Sequence, residues 1–189
     1  MVAQASMCLV NAWPLITRLS SNFRWKIVYL TRSKDDENNT EMVAAWEHTG
    51  VELEFLELEH KDEDAENFEI SFDRDLATAK IETACAGADL LVTHNHLGEH
   101  GHVYNVFVNA IVSEIDIPKI YFGYSDDNDN NLIIRPKTYG NLEIPIDRLE
   151  WCKDWIETVT PEGKYQCDPG AKQILKTHSN GLNFDLTGA

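Results

Sequence analysis

The sequence predicts an α/β fold, a Rossmann-like three-layer arrangement with a mostly parallel sheet between two layers of helices. Short apolar runs alternate with segments whose apolar residues recur at helical spacing, a pattern typical of parallel sheets covered on both faces. The chain has 189 residues, of which 43% are hydrophobic, so it can bury a proper core. We therefore predict a single α/β domain over residues 1–189.

Four apolar runs are predicted as the main strands, because each is short and is bounded by turn-forming or polar residues. They are residues 26–31, 51–58, 88–92 and 119–122. Two smaller strands are predicted at residues 132–134 and 142–144. The carboxyl ends of parallel strands meet at one edge of a sheet, so the loops after the four main strands should share the edge where a site forms.

Helices are predicted between these strands from apolar spacing and capping signals. Asn38, with Glu41 three residues on, can cap a helix over 38–48 that ends before Gly50. A clear amphipathic helix starts at Val103. Further helices are predicted over residues 9–19 with an interruption at Pro14, 76–84, 147–159 and 169–175.

The charge balance excludes some classes of partner. The chain has 32 acidic and 16 basic residues, giving a net charge of −16. Nucleic-acid binding needs clusters of Lys and Arg against phosphate, and anionic membrane surfaces need the same. We therefore expect neither a nucleic-acid nor a membrane partner.

The cysteines indicate a reducing compartment. Cys8, Cys85, Cys152 and Cys167 are far apart and form no CxxC pair, which favours free thiols in a cytoplasmic protein. No apolar run approaches the roughly 18–20 residues of a membrane span, and the start lacks the basic region of a signal peptide.

The most informative segment is a histidine-rich loop between the 88–92 strand and the helix that starts at Val103. Four of the seven histidines lie there, at His94, His96, His100 and His102. Histidine is the commonest metal ligand and a frequent general acid or base. In an extended segment His94 and His96 would point to one side and could bind a metal. The alternative is that several of them, His100 above all, are hydrogen-bonded or solvated loop residues.

This loop resembles one family, the LmbE-like and PIG-L-like zinc de-N-acetylases (N-acetylglucosaminyl deacetylase-like proteins). The resemblance covers about residues 26–123, and its most specific part is residues 89–95 followed by Gly98-Glu99-His100-Gly101-His102. It implies a Rossmann-like sheet, a zinc cofactor and hydrolysis of the acetyl group from an N-acetylated sugar or related amine.

The resemblance also implies roles for individual residues. His102 matches the histidine that stabilises the transition state, and Asn105 stands where the family has a zinc ligand. We assign substrate binding to Asn95, Glu99 and Tyr104 of the same segment.

The departures from the family are as informative as the matches. The family's first motif, His-Pro-Asp-Asp-Glu, supplies zinc ligands and the general base, and it should fall near Ala3-Gln4-Ala5-Ser6-Met7. Neither the motif nor the strand that carries it is predicted here, so the site is either degenerate or truncated at its N-terminus. Asp35 and Asp36, after the 26–31 strand, are the alternative carboxylates on the correct edge.

Two functions follow, and both stay open at this point. The first is a metal-dependent amide hydrolase acting on an N-acetylated sugar or amine. The second is a non-catalytic relative that binds carbohydrate or serves as an assembly module, including association with further copies of the chain.

Overall fold

The computed structural model describes most of the segments that surround the predicted site. The described residues are 1–3, 8–31, 33–36, 39, 43–44, 46, 49–59, 70–98, 102–123, 131–134 and 163–178. The strands are β1 Val2–Ala3, β2 Lys26–Thr31, β3 Glu52–Leu58, β4 Leu91–Thr93, β5 Lys119–Phe122, β6 Asn131–Ile134 and β7 Gly163–Cys167. The helices are α1 Cys8–Leu19, α2 Arg74–Cys85, α3 Val103–Glu114 and α4 Pro169–His178.

The strands form two sheets, one of three strands and one of four. The first has the order β1-β2-β3 and is parallel throughout. The second has the order β4-β5-β7-β6, with β4 and β5 parallel and with β7 antiparallel to both of its neighbours. The sheets meet where β1 lies beside β4, and there the Thr93 hydroxyl donates to the Val2 carbonyl over 3.1 Å.

Helices cover both faces, as the predicted three-layer fold requires. Alternate residues of β2 face opposite ways: Ile27 and Tyr29 join the core beneath α1 and α4, whereas Val28 and Leu30 join the core beneath α2 and α3. Strand β2 is therefore apolar on both faces, which explains its continuous hydrophobic run.

Most of the predicted elements are confirmed. The 26–31 and 119–122 strands have the predicted bounds, and the helix at Val103 starts where the apolar spacing puts it. Helix α1 continues through Pro14 instead of ending there. The strand at 142–144, the helix at 147–159 and the start of the 38–48 helix lie outside the described residues.

Two strands were missed, and one expectation is wrong. A strand before the first helix was predicted to be absent, yet Val2–Ala3 pairs with Val28 and Tyr29. Two apolar residues are too few to be recognised as a strand from the sequence. Strand β7 was missed because its sequence, Gly-Lys-Tyr-Gln-Cys, contains no β-branched residue and no apolar run.

Among the described strands, β3 is paired on one side only and so forms an edge. The register with β2 shifts between Tyr29 and Thr31, where Glu57 adopts a φ of +52°. An extra residue at this point bulges the edge strand and increases its twist. Glu52 and Glu57 are exposed along this strand, and Glu54 forms a 2.8 Å ion pair with Lys26.

A carboxylate joins the second sheet to the last helix. The Lys119 backbone N–H donates to Asp168 Oδ2 over 2.6 Å, and the Ala171 N–H donates to Asp168 Oδ1 over 2.7 Å. The Asp168 N–H in turn donates to the Lys119 carbonyl over 3.0 Å. One side chain thus caps α4 and fixes the start of β5.

No helix within the described part of the chain is long and apolar enough to cross a membrane.

We expect Asp168→Ala to lower the free energy of unfolding by about 2 kcal/mol, because two backbone donors lose an ionised acceptor. Asp168→Asn keeps one acceptor oxygen and should cost about half as much. Urea denaturation followed by circular dichroism measures both values. Asp89→Ala, which removes the same charge from an exposed loop position, is the control. Equal midpoints for Asp168→Ala and Asp89→Ala would contradict the capping role.

We also expect Cys85 and Cys167 to react slowly with thiol reagents in the folded protein. Both are free and buried; burial raises the pKa of the Cys167 thiol to about 12 and raises that of Cys85 as well. The nucleophilic thiolate is therefore scarce near neutral pH. In a Cys8→Ser/Cys152→Ser background, maleimide labelling should be slow in buffer and complete in guanidinium. Rapid labelling of the folded variant would contradict this burial.

Candidate functional site

The candidate site lies at the carboxyl ends of β1 and β4, where the chain leaves the sheet in opposite directions. After β1, helix α1 packs on one face of the sheet. After β4, helix α3 packs on the other face. In open α/β sheets, divergent connections from two neighbouring strands leave a crevice in which ligands bind. Residues 94–98 of the histidine-rich segment follow β4 at this position.

The first half of that segment is a tight turn. The Gly98 N–H donates to the Asn95 carbonyl over 3.0 Å, and the Leu97 N–H donates to Asn95 Oδ1 over 2.8 Å. An asparagine side chain that accepts from the backbone two residues on forms an Asx turn. Gly98 completes the turn with a φ of +62°, a conformation that side chains other than glycine rarely adopt.

Three asparagine amides fix this turn to the surrounding elements. Asn95 Nδ2 donates to the Phe122 carbonyl at the end of β5 over 2.8 Å. From α3, Asn105 Nδ2 donates to the Gly98 carbonyl over 3.3 Å and Asn109 Nδ2 donates to the His94 carbonyl over 2.8 Å. The loop is therefore tied to the sheet on one side and to the helix on the other, which predicts a preorganised site rather than a mobile lid.

The histidines of the loop occupy different environments. His94 is 1% exposed and packs edge-on against Phe122, with 5.5 Å between ring centroids. His96 is exposed in the turn. Because the strand ends at Thr93 and a turn follows, His94 and His96 do not continue in the extended geometry that would align them.

His102 is the half-buried residue that precedes the first turn of α3. It occupies the N-cap position with extended φ and ψ of −67° and 122°, and its ring lies 6.0 Å from that of Tyr104. The N-terminus of α3 therefore opens beside His102, with the backbone N–H groups of the first turn directed toward the same end of the helix.

The remaining predicted residues fall into two groups. Tyr104 is 1% exposed and packs against Phe72, with 5.4 Å between ring centroids, so its ring belongs to the core. Asp35 is exposed and Asp36 is half-buried in a turn after β2, on the predicted edge of the sheet. Glu99 and His100 lie outside the described residues.

Two residues that the sequence did not single out help to build the site. Thr93 joins β4 to β1 through its hydroxyl, and Asn109 holds the His94 backbone from a buried position on α3. The sequence does contain a signal for Asn109, because it is an asparagine on the apolar face of a helix. A buried amide there needs a hydrogen-bond partner.

The donors in this region do not fit the zinc site that the resemblance implies. The segment Ala3-Gln4-Ala5-Ser6-Met7 offers neither an imidazole nor a carboxylate. The Asn105 amide holds the turn, and a carboxamide is a poor ligand for zinc compared with His, Cys or a carboxylate. Within the described ranges, no three such side chains come together in a group that could hold a metal ion. Zinc stays a prediction from sequence.

Comparison with protein-family models, with curated proteins and with solved structures finds no match.

A pair of glycine variants tests the packing of this turn. Gly98 and Gly87 both have a positive φ, of +62° and +77°. A Cβ at Gly98 would lie 2.9 Å from Val106 Cγ2, whereas a Cβ at Gly87 meets nothing within 4 Å. Gly87→Ala should therefore cost about 1 kcal/mol of folding free energy for its backbone alone. Gly98→Ala should cost at least about 1 kcal/mol more.

Chemical denaturation of the two variants measures this difference directly. If Gly98→Ala were as stable as Gly87→Ala, the turn would not be packed tightly against α3.

Proposed function

We propose that this chain binds an N-acetylated sugar or a related small amide in the crevice between β1 and β4, without a complete zinc site. The observation that carries the proposal is the placement of His102 and of the tethered 94–98 turn where two helices diverge from neighbouring strands. Such a crevice is the ligand-binding position of open α/β sheets. The choice of an acetamido ligand rests on the resemblance of residues 89–102 to the de-N-acetylases.

The chemistry of the crevice suits recognition of a neutral amide. An imidazole N–H of His102 can donate to the acetyl carbonyl oxygen, and the exposed His96 can contact ring hydroxyls. Donors held at a helix start and in a fixed turn lose little entropy when the ligand binds. Binding of this kind needs no metal ion, because side chains of the protein make the contacts.

Hydrolysis is the second candidate. It is supported by His94 and His102, which lie at the two ends of the same short segment after β4. It requires further ligands and a general base, which Asp35, Asp36 or Glu99 would have to supply. Zinc, once bound, would acidify a water molecule for attack on the amide. The residues at the matching positions of this chain do not include the family's zinc ligands and general base. Binding is therefore the better-supported function.

Isothermal titration with methyl N-acetylglucosaminide, in the presence of EDTA, tests binding. We expect saturable binding that the corresponding glucosaminide lacks, because the amine has no acetyl carbonyl. His102→Ala should weaken binding by about tenfold, the effect of losing one hydrogen bond in a buried site. His96→Ala, an exposed histidine of the same loop, is the matched control and should change affinity much less.

An acetate-release assay with added zinc separates the two candidates. Release that is lost on His102→Ala would establish hydrolysis and overturn the binding-only proposal. Absence of both binding and release would reject the N-acetylated ligand and leave the assembly alternative, which sedimentation velocity would then test.

A further inference from the structure

A cavity lies at the edge of the sheet where β2 and β3 begin, whereas the histidine-rich loop follows the end of β4. The cavity has a volume of about 400 Å³ and lies between the end of α1 and the residues that precede β2 and β3. Ser20, Ser21, Arg24, Trp25 and Gly50 are among its lining residues. A volume of a few hundred Å³ suits a ligand of roughly monosaccharide to nucleotide size.

The charge of this cavity differs from that of the whole protein. The net charge is −16, yet none of the described lining residues is acidic and one, Arg24, is basic. Arg24 is exposed and has no ion-pair partner within the described part of the chain. A guanidinium with its fork of donors free is suited to bind a carboxylate through two hydrogen bonds.

A buried tryptophan forms part of the cavity wall. Trp25 is 9% exposed and lines the cavity, and its indole Nε1–H has no hydrogen-bond partner among the described residues. The same is true of the Trp13 indole N–H, whereas the Trp46 indole N–H donates to the Tyr29 hydroxyl over 2.9 Å. Because Trp25 Nε1 is itself inaccessible, the indole offers the cavity its ring rather than its N–H donor.

The aromatic side chains give the cavity a wall for a ring. Phe23 also lines it and meets Trp25 edge to face, with ring centroids 6.4 Å apart. Ser20 and Ser21 add hydroxyl groups at the rim. Aromatic faces with nearby hydroxyl and guanidinium donors can hold a ring and its attached oxygens together.

We propose that this cavity is a second binding site, which takes a small ring compound carrying a carboxylate. Arg24 binds the carboxylate, and the Phe23–Trp25 pair contacts the ring. The site is separate from the crevice at the carboxyl edge and does not depend on the function proposed for it.

Nuclear magnetic resonance titration of the ¹⁵N-labelled chain tests this site with glucuronate and benzoate as probes. The Trp25 indole signal is assigned by its loss in Trp25→Phe. We expect glucuronate or benzoate to shift that signal in a saturable way. Glucose, which has the glucuronate ring without its charge, and inorganic phosphate, which has charge without a ring, should bind at least about tenfold more weakly.

Two variants, each of which removes the charge of one arginine, complete the experiment. Arg24→Gln should weaken binding of the carboxylate by about tenfold or more, whereas Arg74→Gln, at an exposed position on α2, should leave it unchanged. The proposal is overturned if neither carboxylate shifts the Trp25 signal. It is equally overturned if glucose or phosphate binds as tightly, or if the two arginine variants behave alike.

Discussion

The junction of β1 with β4 is the constraint on which the rest of the structure depends. Strand β1 has only two residues, yet it pairs with β2 on one side and receives the Thr93 hydroxyl on the other. A short central strand can hold two sheets together because its neighbours bury both of its faces. Helices α1 and α3 diverge from this junction onto opposite faces of the sheet, so the proposed binding site depends on the same strand pairing as the fold.

The turn at residues 94–98 shows how side-chain amides can hold a polar segment in place. Each of three asparagine amides donates to a backbone carbonyl in the turn or near the end of a strand. The partners lie on β5 and within the loop itself, while two of the donors come from α3. A shift of the helix would therefore move the turn, and this couples the position of His102 to that of His94.

Much of the fold was predictable, because the apolar runs at 26–31 and 119–122 and the spacing after Val103 are strong local signals. The placement of the histidine-rich segment after a buried strand was also predictable, since β4 ends at Thr93. Its internal structure was not, since the Asn95 partner lies 27 residues away in sequence at Phe122. Strand β1 was not predicted, because two residues cannot display periodicity.

The edge strand β3 has a consequence for how copies of this protein can associate. An unpaired edge is a template for a strand from another molecule, the first step toward fibrillar aggregates. Here the twisted bulge at Glu57 and the row of carboxylates on Glu52, Glu54 and Glu57 make that template irregular and repulsive to an identical edge. These features of β3 itself therefore oppose continuous β-sheet growth through this edge.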